Sequence, residues 1–483
     1  MRLNTGDVSP KSSVSILPQD KGMFKEDEFK ERERDYSRRQ MFSDLTVPTS
    51  LKGAKEDVMN SQSCCDLAFH SHAFGQVPPN ALVQANRAIF GMYSGLANES
   101  WDALFMKEIP NAQGHIRRLT GLNPNGPEVI EFGHNSHELV TRLMSQVLER
   151  FACYGSEGED TIAPFRILTT DTEFYSLTRQ LNRILMTGSK YVQVEVVAAE
   201  PTDTFEQRFK DTLSKSSQAY DFIYCSVITF TQLTLIRDVK LFVRGLEEIL
   251  GTWKGDSAKK AVYENTILID AYHSFAAIPT DINGMNAIYL AGSLKHAGAG
   301  ANLAFAIIPP SKASKLSPLI TGWLADFSVL DANSPGIEIR GKAGYTPGFC
   351  LMGSTPAFGY PLVTFNKVME EYERHGITVQ YTHDHVMKLQ RQFLEGLGKL
   401  QADGRSNKFM SLQTLRQPLC EERYRSHVLV FKQICVSDAA SCCKYLRNQG
   451  IGIDSRKCFV RVGFGLNHNP EDVDRLLFSL SGM

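Results

Sequence analysis

Short apolar runs recur through the middle of the chain, separated by stretches with helical periodicity, and this alternation limits the fold more than any other feature. The runs are FRILTT (165–170), YVQVEVVA (191–198), DFIYCSVITF (221–230), TILIDAYH (266–273), AIYLAGS (287–293) and LAFAIIP (303–309). Amphipathic stretches such as HELVTRLMSQVLERFACY (137–154) and DVKLFVRGLEEILGTW (238–253) lie between them. Strands that alternate with helices predict an α/β fold built on a mostly parallel, doubly wound sheet. Ligands of such sheets bind beyond the carboxyl ends of the strands. Functional residues are therefore expected just after each apolar run.

Three regions follow from this pattern. Residues 1–63 read as an N-terminal extension, partly flexible, and its dense mixed-charge run KEDEFKERERDYSRRQ (25–40) reads as a solvated helix. Residues 64–330 form the large α/β domain. A Gly- and Pro-rich break, DANSPGIEIRGKAGYTP (331–347), leads into a smaller α+β domain over 331–483. That domain has helical stretches at 360–376 and 384–404 and strands in SHVLVFKQI (426–434) and CFVRVGFGL (458–466). There is no internal repeat.

The 483 residues carry 52 Lys and Arg against 53 Asp and Glu, a net charge of -1. Such a balance gives no field for nucleic acid or an anionic membrane, so function must come from a site. No apolar stretch is long enough to span a membrane, and the N-terminus lacks the basic-then-apolar layout of a secretory signal. The 10 cysteines show no metal-ligand spacing, so no metal site is expected. The adjacent pairs Cys64-Cys65 and Cys442-Cys443 are poor disulfide partners. A reduced, cytoplasmic protein is the simplest expectation.

Two residues stand where the strand pattern places chemistry. Asp270 closes the run TILID. A carboxylate there suits a pyridine ring, because it keeps the ring nitrogen protonated. Lys295 follows the next run and is flanked by Gly292, Ser293, Ala297, Gly298 and Gly300. A desolvated lysine is a nucleophilic amine, and small neighbours admit a flat cofactor. Ser293 could hold a phosphate. Alone, each residue has an ordinary explanation, a polar strand end or a loop lysine. A dinucleotide site is disfavoured, since GAGAN (298–302) lacks the GxGxxG order.

Together, Asp270-Ala271-Tyr272-His273 on one strand end and Ser293-Leu294-Lys295 on the next resemble fold-type I pyridoxal 5′-phosphate (PLP) enzymes of the class V aminotransferase superfamily. The Asp-x-x-His spacing and Gly322-Trp323 look most like kynureninase. The resemblance covers about residues 66–483. It implies a large domain with a seven-stranded type of sheet sandwiched by helices, with PLP on Lys295. Asp270 would face the ring nitrogen and His273 would lie beside the ring and tune the Asp270 hydrogen bonding. GHNSHEL (133–139) resembles the family's phosphate turn, with Asn135, Ser136 and His137 at the matching places; a helix N-terminus suits an anion. DTEFYSL (171–177) places Phe174 where an aromatic stacks on the ring. FVRVGFGLNHNPEDVDRLL (459–477) places Arg461 on the substrate α-carboxylate, a role suited to its fork. GSTPAF (353–358) resembles a turn that reaches the neighbouring subunit's cofactor, which implies a homodimer and roles for Ser354 and Thr355. Ser71, His72 and Trp323 are candidate pocket-lining residues.

The sequence departs from kynureninase in three places. Leu294 replaces the tyrosine before the lysine, Gln232-Leu233 replaces a Thr-Gly step, and Asn467-His468-Asn469 replaces Tyr-Asn-Thr. The related cysteine desulfurases need a loop cysteine before the arginine strand, whereas Cys442 and Cys443 sit in a helical pattern. The expected activity is thus a PLP-dependent, kynureninase-like lyase or hydrolase that acts on an α-amino acid and cleaves a C–C or C–S bond in its side group. A class V aminotransferase, racemase, decarboxylase or desulfurase is the alternative, and a non-catalytic relative of the fold is a third.

Overall fold

A computed structural model describes residues 26–43, 67–95, 97–145, 164–188, 192–252, 266–326, 343–353, 359–405, 409–416 and 420–482. Its centre is a seven-stranded sheet. In sequence order the strands are β1 (Leu67–Ala68), β2 (Val129–Gly133), β3 (Phe165–Thr170), β4 (Val192–Val197), β5 (Phe222–Ser226), β6 (Thr266–Asp270), β7 (Ile288–Gly292) and β8 (Ala304–Ile308). The sheet has the order β2-β8-β7-β6-β5-β3-β4, with β1 outside it. Only β8 runs against the others, pairing antiparallel with both β7 and β2.

β5, β7 and β8 are buried along their whole length because both faces of the sheet are covered there, whereas the edge strand β4 leaves Gln193, Glu195 and Val196 to solvent. Ile223 and Cys225 of β5 and Ile267 and Ile269 of β6 pack into one buried cluster. Phe222, Tyr224 and Leu268 turn into the cluster on the opposite face. Each large side chain so buried contributes about 1.5–3 kcal/mol. The six strands read from the sequence are all present. β2 was not among them: its run VIEFG is interrupted by Glu131, which is fully buried. Burial pushes this carboxyl up to about 7, against the backbone N–H groups it accepts from.

The C-terminal unit holds a three-stranded antiparallel sheet, β11-β12-β9, from β9 (Val428–Lys432), β11 (Asp454–Arg456) and β12 (Phe459–Gly463). β10 (Ile451–Gly452) pairs in parallel with β1, so the start of the large domain as drawn from the sequence is stitched to the C-terminal unit. The helices Tyr360–Arg374 and Val379–Ala402 lie where the periodicity predicts them.

The charged run at 25–40 falls in a helix, Glu26–Ser43, but not a wholly solvated one. Arg38 is 1% exposed. Its guanidinium donates to the carbonyls of Leu466 and His468, at 2.8 and 3.1 Å, and to Asn469 Oδ1 at 2.8 Å. Met41 packs on Ile377 and Leu466 beside it. This part of the extension is thus a docked element.

Candidate active site

The carboxyl ends of β3, β5, β6 and β7 meet along one edge of the sheet, because these strands are parallel and in sequence-adjacent register. Asp270 ends β6 and is 6% exposed. Its Oδ2 accepts from the Tyr224 hydroxyl at 2.5 Å and its Oδ1 from the Tyr272 N–H at 2.9 Å. Burial pushes its carboxyl up, and these two donors and the Lys295 charge hold it back. Glu173, just after β3 and so two strands over, is buried and accepts from Thr170 Oγ1 at 2.7 Å, from the Ser226 N–H at 3.1 Å and from the Ser226 hydroxyl. Burial raises it to about 7.

Lys295 leaves the end of β7 in a turn that packs on the N-terminal segment. The Gly75 N–H donates to the Leu294 carbonyl at 2.9 Å, and any Cβ at Gly75 would collide with the Lys295 carbonyl. Burial lowers the Lys295 amine to about 7, with Arg461 and Arg456 working in the same direction against Asp270 and Asp454. An amine poised there is partly unprotonated at neutral pH, the form that attacks a carbonyl. Its Nζ lies 2.6 Å from His273 Nε2 and 5.6 Å from the centre of the Tyr272 ring. His273 Nδ1 in turn lies 3.0 Å from Gln232 Nε2.

The expectation that His273 tunes Asp270 is corrected here. His273 is bonded to Lys295 and Gln232, and Asp270 is held instead by Tyr224 and Tyr272. Ser293 is corrected as well: its hydroxyl is buried and donates to the Gly300 and Leu303 carbonyls, at 2.8 and 3.3 Å, which leaves it turned inward rather than toward a phosphate.

Arg461 projects from β12 and is 5% exposed. Its Nε donates to Asp454 Oδ1 at 2.8 Å, a second nitrogen to Asp454 Oδ2, and the third to the Phe230 carbonyl at 3.0 Å. His72 Nε2 also reaches Asp454, at 3.2 Å. For Asp454, burial acts upward, but the His72 and Arg461 bonds outweigh it and hold the carboxyl far below its usual range. Asp454 carried no signal in the sequence, because its partner is set by cross-strand register: it lies directly opposite Arg461. His72, in the turn that follows β1, is thus a buried member of this cluster. Ser71 lines a narrow cleft with Lys295, yet its hydroxyl is spent on the Phe464 carbonyl.

Asn135 and Phe174 follow the carboxyl ends of β2 and β3. Asn135 caps the helix Ser136–Met144, its side chain accepting from the Glu138 N–H, so the first-turn amides of Ser136 and His137 face outward. Ser136 Oγ is 3.3 Å from Ser176 Oγ, and His137 Nδ1 is 3.2 Å from the Ser176 carbonyl. Phe174 is 42% exposed and meets Phe230 edge-on. Trp323, 39% exposed, stands edge-on to Trp101. Ser354 and Thr355 lie outside the described residues. Reasoning from sequence also missed Tyr224, Glu173 and Ser426. Gln232 was visible only as a departure from a family pattern.

This is an α/β fold like that of solved cysteine desulfurases. The desulfurase CsdA from Escherichia coli, in an S-sulfonic acid form, superposes with a TM-score of 0.64 at 13% identity, over 93% of this protein and 98% of that one. The apo cysteine desulfurase from Thermococcus onnurineus gives 0.62 at 14% identity, over 86% and 95%. A C-DES variant with glycine covalently linked to its PLP cofactor gives 0.62 at 13% identity, over 88% and 97%. No family model and no curated protein matches the sequence. Among the described residues, no helix is long and apolar enough to cross a membrane, and no group of His, Cys, Asp and Glu is arranged to hold a metal ion.

Proposed function

We propose that this protein is a PLP-dependent enzyme acting on an α-amino acid, a lyase or hydrolase that cleaves a C–C or C–S bond in the side group of its substrate. The observation that carries the reading is Lys295: a half-buried amine lowered to about 7, in contact with His273, one strand over from a buried carboxylate anchored by two donors. The donor set fits PLP. Lys295 would carry the cofactor, Asp270 would face its ring nitrogen, the outward amides at Ser136 and His137 suit its phosphate, and Phe174 offers a ring face. Bound PLP supplies an electron sink for bond cleavage next to Cα.

The protein's own residues supply the rest. The half-buried Lys295 amine, lowered to about 7, is suited to move a proton to and from the substrate Cα at neutral pH. Arg461, fixed by Asp454, presents its guanidinium edge to the substrate carboxylate. The fold neighbours that act on C–S bonds support a C–S substrate, and the Asp270-x-x-His273 spacing supports a kynureninase-like C–C substrate. Among the described residues, no cysteine hydrogen-bonds with Lys295, His273, Asp270 or Arg461, and Cys225 is in the core with its thiol pushed far up by burial. That favours a reaction without a protein persulfide. A homodimer is supported by paired aromatic side chains left exposed, Trp101 with Trp323 and Phe174 with Tyr175.

The test is reconstitution with PLP followed by visible absorption, then incubation with L-kynurenine, L-cysteine and L-cystine, with and without a keto acid. The expected result is a long-wavelength band that Lys295→Ala abolishes, and turnover that needs no keto acid. A protein that takes up no PLP refutes the whole reading. Turnover that requires a keto acid refutes the lyase assignment. Light scattering of the eluted protein reads the mass, and a monomer refutes the dimer.

A further inference from the structure

We propose that Asp171 and Glu173 are positioning residues that clamp the turn after β3 between the ends of β4 and β5, and so hold the Phe174 ring in place for the cofactor. The inference deepens the proposed function and rests on that reading for the role of Phe174. The clamp itself is a property of the chain alone.

β3 lies between β5 and β4 in the sheet, so the turn at 171–174 has a strand end on either side. Its two acids bond to opposite neighbours. Asp171 Oδ1 accepts the N–H of Ala199, a buried residue just past β4, at 2.8 Å. Glu173 accepts the N–H of Ser226, the last residue of β5, at 3.1 Å, and the Ser226 hydroxyl as well. The ladder between β3 and β5 ends at Leu168 and Ile223, so no strand acceptor faces the Ser226 N–H. The Glu173 carboxylate takes the place of one and satisfies a buried donor. Thr170, which closes β3, donates its hydroxyl to the same carboxylate at 2.7 Å. One side chain thus ties the ends of two strands to the turn.

The clamped turn is where the candidate cofactor contacts join. Phe174 directly follows Glu173 and opens the helix Tyr175–Gly188, its carbonyl accepting from the Leu177 and Thr178 N–H groups at 2.9 and 3.2 Å. Two residues on, Ser176 meets Ser136 and His137 of the candidate phosphate turn. On the other side, Ser226 lies directly opposite Asp270 in the register of β5 and β6. Displacement of the turn would therefore shift the ring face relative to both the phosphate turn and the acid that faces the ring nitrogen.

Phe174 is 42% exposed, with Phe230 edge-on at 5.7 Å and Tyr175 tilted beside it at 5.6 Å. A ring this open is not fixed by core packing, so its place is inherited from the backbone of the turn. Binding to a contact that is already fixed costs less ordering than binding to a mobile one.

The experiment is a double-variant cycle on PLP affinity, titrated by visible absorption and circular dichroism. Phe174→Leu removes the ring and should weaken binding about tenfold. Glu173→Ala should weaken it by a similar factor alone, but by less than about twofold in the Phe174→Leu background, because both changes remove one contact. Glu173→Gln keeps an acceptor for Thr170 and the Ser226 N–H and turns its NH2 group to the Ser226 hydroxyl, which can accept it, so it should restore wild-type binding. The circular dichroism of bound PLP reports ring orientation and should fall in Glu173→Ala and recover in Glu173→Gln. Losses that add in the double variant, unchanged circular dichroism in Glu173→Ala, or a Glu173→Gln as weak as Glu173→Ala overturns the proposal. If Glu173→Ala does not fold, Asp171→Ala, at an exposed position, decides by the same cycle. In cofactor-free protein, amide hydrogen exchange over 171–178 should quicken about tenfold in either alanine variant, and wild-type exchange overturns the clamp. A wild type that takes up no PLP sinks the proposed function and leaves the exchange readout standing, so the two readings fail separately.

Discussion

Removing the Asp454 carboxylate is the perturbation whose consequence the structure specifies most fully. Asp454→Ala deletes the acceptor for two Arg461 nitrogens and for His72 Nε2 at once. The Arg461 side chain is 6% exposed, so water cannot fully replace what is lost, while Asp454 itself is 29% exposed and its pairing is partly screened. Hydrogen bonds to charged groups contribute about 1.5–3 kcal/mol each, and stranding one member of a buried pair costs about 3–5 kcal/mol. Partial exposure places the expected loss at the low end, about 2–4 kcal/mol. The assay is urea unfolding of Asp454→Ala, Arg461→Met and the double variant. Because the two groups touch, the double variant should lose less than the sum of the singles, by about 1 kcal/mol or more. Additivity within about 0.5 kcal/mol would refute the coupling. The same pair predicts a pH effect. The folded carboxyl lies below its unfolded value, so its stabilisation is complete above about pH 4 and is lost as the pH falls through the folded value. Acid unfolding should therefore begin at higher pH in Asp454→Asn than in the wild type.

Three further outcomes are expected. A Cβ at Gly292 would fall 2.5 Å from the Tyr272 ring, so Gly292→Ala should destabilise the protein, and adding Tyr272→Ala should recover part of the loss; equal melting of the single and double variants refutes this packing. Arg38→Ala should strand the Leu466 and His468 carbonyls and expose the helix Glu26–Ser43 to limited proteolysis near its ends, whereas an unchanged digestion pattern argues that the helix is held by other contacts. Glu173 is raised from 4.5 to about 7 when folded. A raised carboxyl favours the folded state below its unfolded pKa, and that advantage declines as pH rises through 7, by about 3 kcal/mol in all. Glu173→Gln should flatten the stability profile between pH 5 and 7, and a profile as steep as the wild type's removes Glu173 as its source.

How much could be read beforehand depended on whether a feature was local. Asp270 and Lys295 were legible because each directly follows a buried strand, and parallel strands put such positions on one edge whatever the loops do. Arg461 was legible as a lone charge within an apolar strand. Its fixed partner was not, since Asp454 is set against it by antiparallel register rather than by a motif. Ser293 and Ser71 looked available because a hydroxyl's partner is invisible in sequence, and both are spent on backbone carbonyls. β2 escaped notice because Glu131 breaks its apolar run, and only burial against the Cys350–Leu351 turn shows how a carboxylate fits there.

The sequence by itself determined the α/β class, six of the seven strands of the central sheet, and the two residues most suited to a PLP site. These depend on periodicity and on what immediately follows a strand, both of which are set by residues adjacent in sequence. Tertiary structure alone decided what holds those residues. Tyr224 reaches Asp270 from the adjacent strand, and Ser426 reaches Gln232 from 194 positions away. It also turned the charged run at 25–40 into a docked helix, because the acceptors that bury Arg38 lie more than 400 residues further on. Hydrogen-bond partnership at such separations is fixed by packing, and no local pattern of residues encodes it.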